Sequence, residues 1–300
     1  VLKDCRIILF HAHDVNLQRF KDAFPDIEYR LVKSPIEGKT KLFSAPVSEG
    51  MCLRIDAMDQ LIQEGVDKVV YSDADAVWFK DPAKLFDTPV DAVHRFAAVR
   101  DMVYQKHPEF KEAYPIACRD WGHRQAISDN YFNSGVMVVS LKGLSDYLTL
   151  LGNASLTEYV QQNQHRYLFP DQDPLNELGH NRIELPREFN AYIDHVVGHS
   201  MTACEVMENR YKISQSAIIH WITMTKPWLH EREPSLTSAA MPHEKYWEAM
   251  QPVLEFLDGG FIKAVSIKLR QYAHLVEHAK RDFKEVGGYH HDTYRCFVRK

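Results

Sequence analysis

No stretch of this 300-residue chain approaches the roughly 18 consecutive apolar residues of a membrane-spanning helix, and no signal-peptide pattern opens it. The expectation is a soluble, cytoplasmic protein. The chain opens on Val1 rather than methionine, so a trimmed anchor, and with it a Golgi lumenal setting, is the alternative. Cysteine is also scarce. Cys5, Cys52, Cys118, Cys204 and Cys296 make an odd set without paired or CxxC spacing, which indicates neither a disulfide framework nor a zinc site and favours reduced, structural thiols. Charge of one sign is missing too: 36 Lys and Arg stand against 41 Asp and Glu, a net charge of −5. Without a basic field to track phosphate backbones, nucleic acid is not an expected partner.

What is present suits a packed enzyme-sized core. With 45% hydrophobic and 26% charged residues, the composition fits one large domain, or one domain with an appendage. Short β-rich runs alternate with helical patterns, which predicts an α/β domain with a mostly parallel central sheet flanked by helices. Ligands then belong at the carboxyl ends of strands. The first run, residues 6–10, ends at His11-Ala12-His13-Asp14, a polar cluster where a nucleotide base could sit; an ordinary polar strand end is the competing reading. Met51, Ile55, Met58 and Ile62 recur at helical spacing, and Asp67-Lys68 then leads into Val69-Val70-Tyr71. That predicts a helix followed by a buried strand.

Directly after this strand comes Ser72-Asp73-Ala74-Asp75, two carboxylates separated by one small residue. In a short exposed turn both can face one hard cation. A divalent ion there would offset charge on a diphosphate leaving group. Alone, the pattern equally fits a solvated turn or a helix cap. Further segments bear on it. Asn133-Ser134-Gly135 precedes the apolar run Val136-Met137-Val138-Val139; Gly135 would let backbone approach a ligand while Asn133 offers an amide to sugar hydroxyls, and a structural turn is the competing reading. Asp171-Gln172-Asp173-Pro174 gathers acids and amides before a helix, where Asp173 could be merely an N-cap. Ala217-Ile218-Ile219-His220-Trp221 reads as another buried strand, with Lys226-Pro227-Trp228 in the turn beyond. His220 could join the metal shell or be a packed core residue; Lys226 could meet a phosphate. Asn153-Ala154-Ser155 fits the N-glycosylation pattern, which chance also supplies.

Taken in order, Arg54, Asp73-Ala74-Asp75, Asn133-Ser134-Gly135, Asp171-Gln172-Asp173, Leu185-Pro186 with Phe189-Asn190, and His220 with Lys226-Pro227-Trp228 resemble the retaining glycosyltransferases of family 8, which include glycogenin and lipopolysaccharide galactosyl- and glucosyltransferases. The resemblance implies a GT-A fold, a UDP-sugar donor, Mn²⁺ with Mg²⁺ as the alternative, and retention of the anomeric configuration. It implies Asp73, Asp75 and His220 as metal ligands, Lys226 on the diphosphate and Arg54 near the donor phosphates or sugar. Asn133, Asp171 and Gln172 would surround the transferred sugar, and Ala12, His13 and Asp14 would meet the nucleotide. The chain departs from the family's pattern at His11-Ala12-His13-Asp14, where an acidic D-x-N-like end is common, and at Ile222-Thr223-Met224-Thr225, where glycine is usual.

The domain reading is a catalytic domain over 1–229, with 87–132 as an acceptor-side insertion rich in His, Arg and aromatic residues. A polar linker follows at 230–243 and a helical extension at 244–300. In the extension, Ile262, Val265, Leu269, Tyr272, Val276, Ala279 and Phe283 form an amphipathic seam on a basic segment. Packing on the catalytic domain, contact with a partner helix and peripheral membrane contact all fit that seam. The acceptor class, whether glycan, lipid-linked or protein, is left open by the residues. Two other functions compete: a catalytically silent subunit that binds a nucleotide sugar, and a phosphohydrolase using paired aspartates.

Overall fold

The computed structural model describes residues 5–12, 17–34, 36, 49–81, 83–101, 131–167, 169–192, 213, 215–221 and 249. His13, Asp14 and Lys226 lie outside the described residues, as do the linker at 230–243 and, Ala249 apart, the extension at 244–300. By its contacts the chain divides into two compact units, one of Val1–Ser72 with Pro82–Leu185, the other of Asp73–Asp81 with Pro186–Lys300. Among the described residues no helix is long and apolar enough to cross a membrane.

In the first unit, β1 (Ile7–His11) pairs in parallel with β2 (Ile27–Leu31), the short helix α1 (Gln18–Ala23) lying between them in sequence. The helix expected from Met51, Ile55, Met58 and Ile62 is α2 (Glu49–Gln63). Its buried stripe of Cys52, Ile55, Met58 and Leu61 follows the 3.6-residue period into the main core. A four-stranded sheet has the order β3 (Lys68–Ser72), β6 (Phe132–Ser140), β5 (Phe96–Arg100), β7 (Ile183–Glu184). All nine residues of β6 are buried, as a central strand covered on both faces requires.

The α/β class is as the sequence predicts, but the described strand pairings are mixed rather than mostly parallel. β6 runs antiparallel to both β3 and β5, while β5 and β7 are parallel. An apolar run reports burial on both faces and carries no information about direction, so the pattern could not reveal this. β6 also begins before the apolar run: Asn133-Ser134-Gly135 lies inside the strand, which rules out the competing reading of a structural turn. The stretch 87–132, read as an insertion, contains the core strand β5. Arg95 serves that core, donating from Nη2 to the Leu178 carbonyl at 2.8 Å with its guanidinium over the Tyr147 ring.

Two helices follow β6. Ser140 caps α4 (Leu141–Leu150) by accepting from the Gly143 N–H. α5 (Leu156–Asn163) is capped by Ser155, and from α2 the Asp59 carboxylate accepts the Leu156 and Thr157 N–H groups, both at 2.7 Å. This capping draws on the same triplet that fits a glycosylation signal. Asn153 is buried and its amide donates to the Leu151 carbonyl, so it does not offer an accessible acceptor nitrogen. α6 (Gln172–Leu178) starts at Asp171, which occupies the N-cap position. Asp173, the residue considered for that cap, instead accepts the Phe169 N–H at 2.9 Å and the Tyr131 hydroxyl.

The second unit holds a three-stranded sheet in the order β4 (Ala76–Trp78), β9 (Ile218–His220), β8 (Ala191–Tyr192), with β4 antiparallel and β8 parallel to β9. The short helix α3 (Ala83–Phe86) belongs to the first unit.

Candidate functional site

The register of the second unit places its polar residues. Ala76 pairs with His220, and the Trp221 N–H donates to the Asp75 carbonyl at 3.1 Å, so the Asp73-Ala74-Asp75 turn abuts the end of β9. A further bond from the Ala76 N–H to the Asp73 carbonyl, also 3.1 Å, closes the turn. His220 Nε2 thereby lies 3.1 Å from Asp75 Oδ1 and 3.6 Å from Asp73 Oδ2. The three ligand atoms lie within 4.8 Å of one another. Ligands held at 2.0–2.2 Å from one cation, with neighbours at right angles, are separated by about 3 Å, so this spacing is of the right order.

The imidazole is braced from behind. His220 is buried, and its Nδ1 lies 2.9 Å from Asn190 Oδ1, on the residue that precedes β8. With the amide oxygen as acceptor, Nδ1 carries the proton and Nε2 turns its lone pair toward the carboxylates, the arrangement a metal-ligating histidine needs. Two carboxylate oxygens and one imidazole nitrogen suit Mn²⁺; the nitrogen makes the set less suited to Mg²⁺, which favours all-oxygen shells. The donor set therefore fits the divalent ion expected from sequence.

The first unit carries a second polar constellation. Arg54 projects from α2, buried, with its guanidinium over the Tyr71 ring, 5.2 Å from the ring centroid. Its Nη2 lies 3.4 Å from Asp171 Oδ2 and its Nη1 donates to Ser134 Oγ. Gln172 is held from both ends. Its Oε1 accepts the Ser134 N–H at 3.0 Å, while its Nε2 donates to Asp101 Oδ2 at 3.3 Å. A backbone N–H can only donate and an ionised carboxylate can only accept, so the two partners fix which way the amide points. Asn133 adds a longer contact from Nδ2 to Gln172 Oε1 at 3.4 Å, and its own Oδ1 accepts the Gly135 N–H. Asn176 ties the helix to β6 by accepting the Phe132 N–H and donating to the Phe132 carbonyl.

Of the residues singled out in the sequence, the structure thus brings together Asp73, Asp75 and His220 in one unit, and Arg54, Asn133, Asp171 and Gln172 in the other. Ala12 lies in the bend after β1, half-buried. Sequence reasoning did not give Asp101 or Asn190 their roles. The only signal for Asp101 was its position after the apolar strand β5; Asn190 stood in a motif without an assigned partner. Beside this network, burial together with the charges of Asp171 and Asp56 pushes the Cys52 thiol up to about 12.

The profile of glycosyl transferase family 8 matches residues 7–232. Among curated proteins the chain is similar to General stress protein A of Bacillus subtilis, 26% identical over 194 residues that make up 62% of this chain and 61% of that protein. The chain thus spans about three fifths of that relative's length. Among solved structures it is similar to the apo form of the bifunctional glycosyltransferase WbbM, with a TM-score of 0.59 and 21% identity over 87% of this chain and 45% of that one. It is also similar to an active-site mutant of LgtC, with a TM-score of 0.54 and 18% identity over 82% of this chain and 85% of that one. The galactosyltransferase LgtC in complex with donor and acceptor sugar analogs gives a TM-score of 0.50 at 19% identity, over 83% of this chain and 86% of that one. At these identities the structural likeness is one of fold.

Proposed function

The chain belongs to glycosyl transferase family 8, and from that premise we propose that it is a metal-dependent, retaining transferase that moves a hexose, glucose or galactose, from a UDP-sugar to a carbohydrate-bearing acceptor. The observation that carries the proposal is the convergence of Asp73 Oδ2, Asp75 Oδ1 and His220 Nε2, with Asn190 behind the ring. These residues would hold Mn²⁺, or Mg²⁺ less tightly; a bound divalent ion supplies positive charge that offsets the diphosphate of the leaving group.

The remaining roles belong to the chain's own side chains. Asp73 and Asp75 would supply anionic ligands to such an ion, and Asn190 would keep His220 in the tautomer that can ligate. Lys226 would meet the diphosphate, and Ala12, His13 and Asp14 the nucleotide base. Arg54 pairs with the Asp171 carboxylate and would lie near the donor phosphates or sugar. Asp171 would offset positive charge developing at the sugar, and Gln172, oriented by Ser134 and Asp101, would position it. Asn133 would bind its hydroxyls. A double displacement would require a carboxylate nucleophile on the far face of the sugar. We favour front-face substitution, with the departing diphosphate accepting the acceptor's proton, because Asp171 is engaged with Arg54 and the Gln172 oxygen with Ser134.

A panel of UDP- and GDP-hexoses tests the reading without knowledge of the acceptor. UDP-glucose or UDP-galactose should be hydrolysed slowly with Mn²⁺ and not with EDTA, and anomer-resolved NMR of the first product should show the donor's configuration. Inversion would refute the retaining mechanism. Release of inorganic phosphate in place of UDP would indicate a phosphohydrolase, a reading the described residues do not favour, since they hold a single three-ligand cluster.

A further inference from the structure

On the edge of the four-stranded sheet, two arginines share one carboxylate. Arg100 ends β5, and Arg182 directly precedes β7, the edge strand paired in parallel with it. Glu184 Oε2 faces both, 3.5 Å from Arg182 Nη2 and 3.8 Å from Arg100 Nε. Both distances exceed the range of a good charge-assisted hydrogen bond. The exposures are unequal in a telling way. The Arg182 side chain is 4% exposed and lies over the Phe132 ring, while its carboxylate partner is 55% exposed. The Nε atoms of Arg182 and Arg100 are both buried without a hydrogen-bond partner. Burial presses the Arg182 pKa down; Glu184 opposes that shift and Arg100 adds to it.

A guanidinium buried this far, with one long contact to a solvent-facing carboxylate, is under-compensated. Glu184 can turn out to water at little cost, and its departure would leave two planar donor forks unneutralised. Such forks match the geometry of an oxyanion. We propose that Arg182 and Arg100 form a binding site for a phosphate or carboxylate group, which displaces Glu184 from between them. Arg100 is followed by Asp101, the residue that holds Gln172, so the Arg100 end of the site adjoins the network proposed to handle the sugar in the first unit. The anion is then borne by an acidic acceptor, an assignment that rests on the transferase reading; binding of the anion itself does not.

The test uses the full chain with Mg²⁺ and saturating UDP, so that the donor site is filled, at ionic strength held constant with chloride. Inorganic phosphate, glucose 6-phosphate and glucose are titrated by calorimetry into the wild type, Arg100→Gln and Glu184→Gln; both substituted side chains are partly exposed, which spares the fold. Phosphate affinity should fall about tenfold in Arg100→Gln, as loss of one charge-assisted contact implies, and rise in Glu184→Gln, where the competing carboxylate is gone. Glucose should show no such dependence. Tighter binding of glucose 6-phosphate than of phosphate supports an acidic acceptor, and equal binding overturns that assignment in favour of a free anion. Equal phosphate affinity in all three proteins, or no binding to any, overturns the site. UDP release from UDP-hexoses, measured separately, shows whether the transferase reading fails independently.

Discussion

His220 receives its meaning from what lies on either side of it: carboxylates at Nε2 and an amide oxygen at Nδ1. If His220 ligates the proposed ion, Asn190 positions it, and Asn190→Ala should weaken Mn²⁺ binding about 10- to 100-fold, as loss of the group behind a metal-ligating histidine does. Calorimetric titration of Mn²⁺ reads this directly, and unchanged affinity would remove Asn190 from the account. Cys52 offers a second check. A fully buried thiol pushed up to about 12 stays protonated at pH 8, so peptide mapping after brief treatment with a thiol reagent should find Cys52 unmodified in the folded protein and modified after denaturation.

Asp56 makes a prediction about pH. Burial raises its carboxyl pKa, against the hydrogen bonds from Ser34 and Thr157 that lower it. The folded state therefore keeps this proton where the unfolded chain, with a pKa of about 3.9, has lost it. This contribution to stability is present below the unfolded value and is lost as pH rises through the folded one. Asp56→Asn should flatten that part of the stability curve; an unchanged slope in denaturant melts from pH 4 upward would contradict the assignment.

At the scale of elements, α5 is held at its first turn from two sides. Its first turn is satisfied from within by Ser155 and from α2 by Asp59, whose two oxygens take consecutive N–H groups. Asp59→Ala leaves two buried or half-buried donors unmet and should cost about 1–3 kcal/mol, read as a lower urea midpoint. α4 is constrained differently. A Cβ on Gly143 would meet the Asp91 carbonyl oxygen at 2.6 Å and Ala92 Cα at 2.8 Å, both backbone atoms that cannot turn aside. Gly143→Ala should therefore destabilise by about 1–3 kcal/mol despite alanine's higher helix propensity. A neutral or stabilising effect would show that the loop before β5 yields freely.

These elements also show what the sequence could and could not convey. The apolar spacing in α2 and the strand ahead of Asp73 were readable because each is a local periodic pattern. The extent of β6 was not. Asn133 and Ser134 look like turn residues, and only their partners on α6, 38 or 39 positions away, make them acceptable inside a buried strand. The same distance hides the positioning residues: Asp101 and Gln172 are 71 positions apart, Asn190 and His220 are 30. Residue type suggested the proposed chemistry, while the contacts among those residues required the fold.

For the whole molecule, membership of family 8 agrees with the glycosyltransferase reading, and the likeness to WbbM and LgtC is one of fold. In the proposed reaction Asp73, Asp75 and His220 would serve the metal and diphosphate, and Arg54, Asn133, Asp171 and Gln172 the sugar. Their joint dependence on a divalent ion is the central claim. It is tested most directly by measuring Mn²⁺ binding together with UDP release from UDP-glucose and UDP-galactose, in the wild type and in Asp75→Asn. The account predicts one Mn²⁺ per chain, UDP release abolished by EDTA, and at least about tenfold weaker Mn²⁺ binding in the variant with a parallel loss of turnover. UDP release that persists in EDTA, or an Asp75→Asn protein that binds Mn²⁺ and turns over as the wild type does, would contradict it.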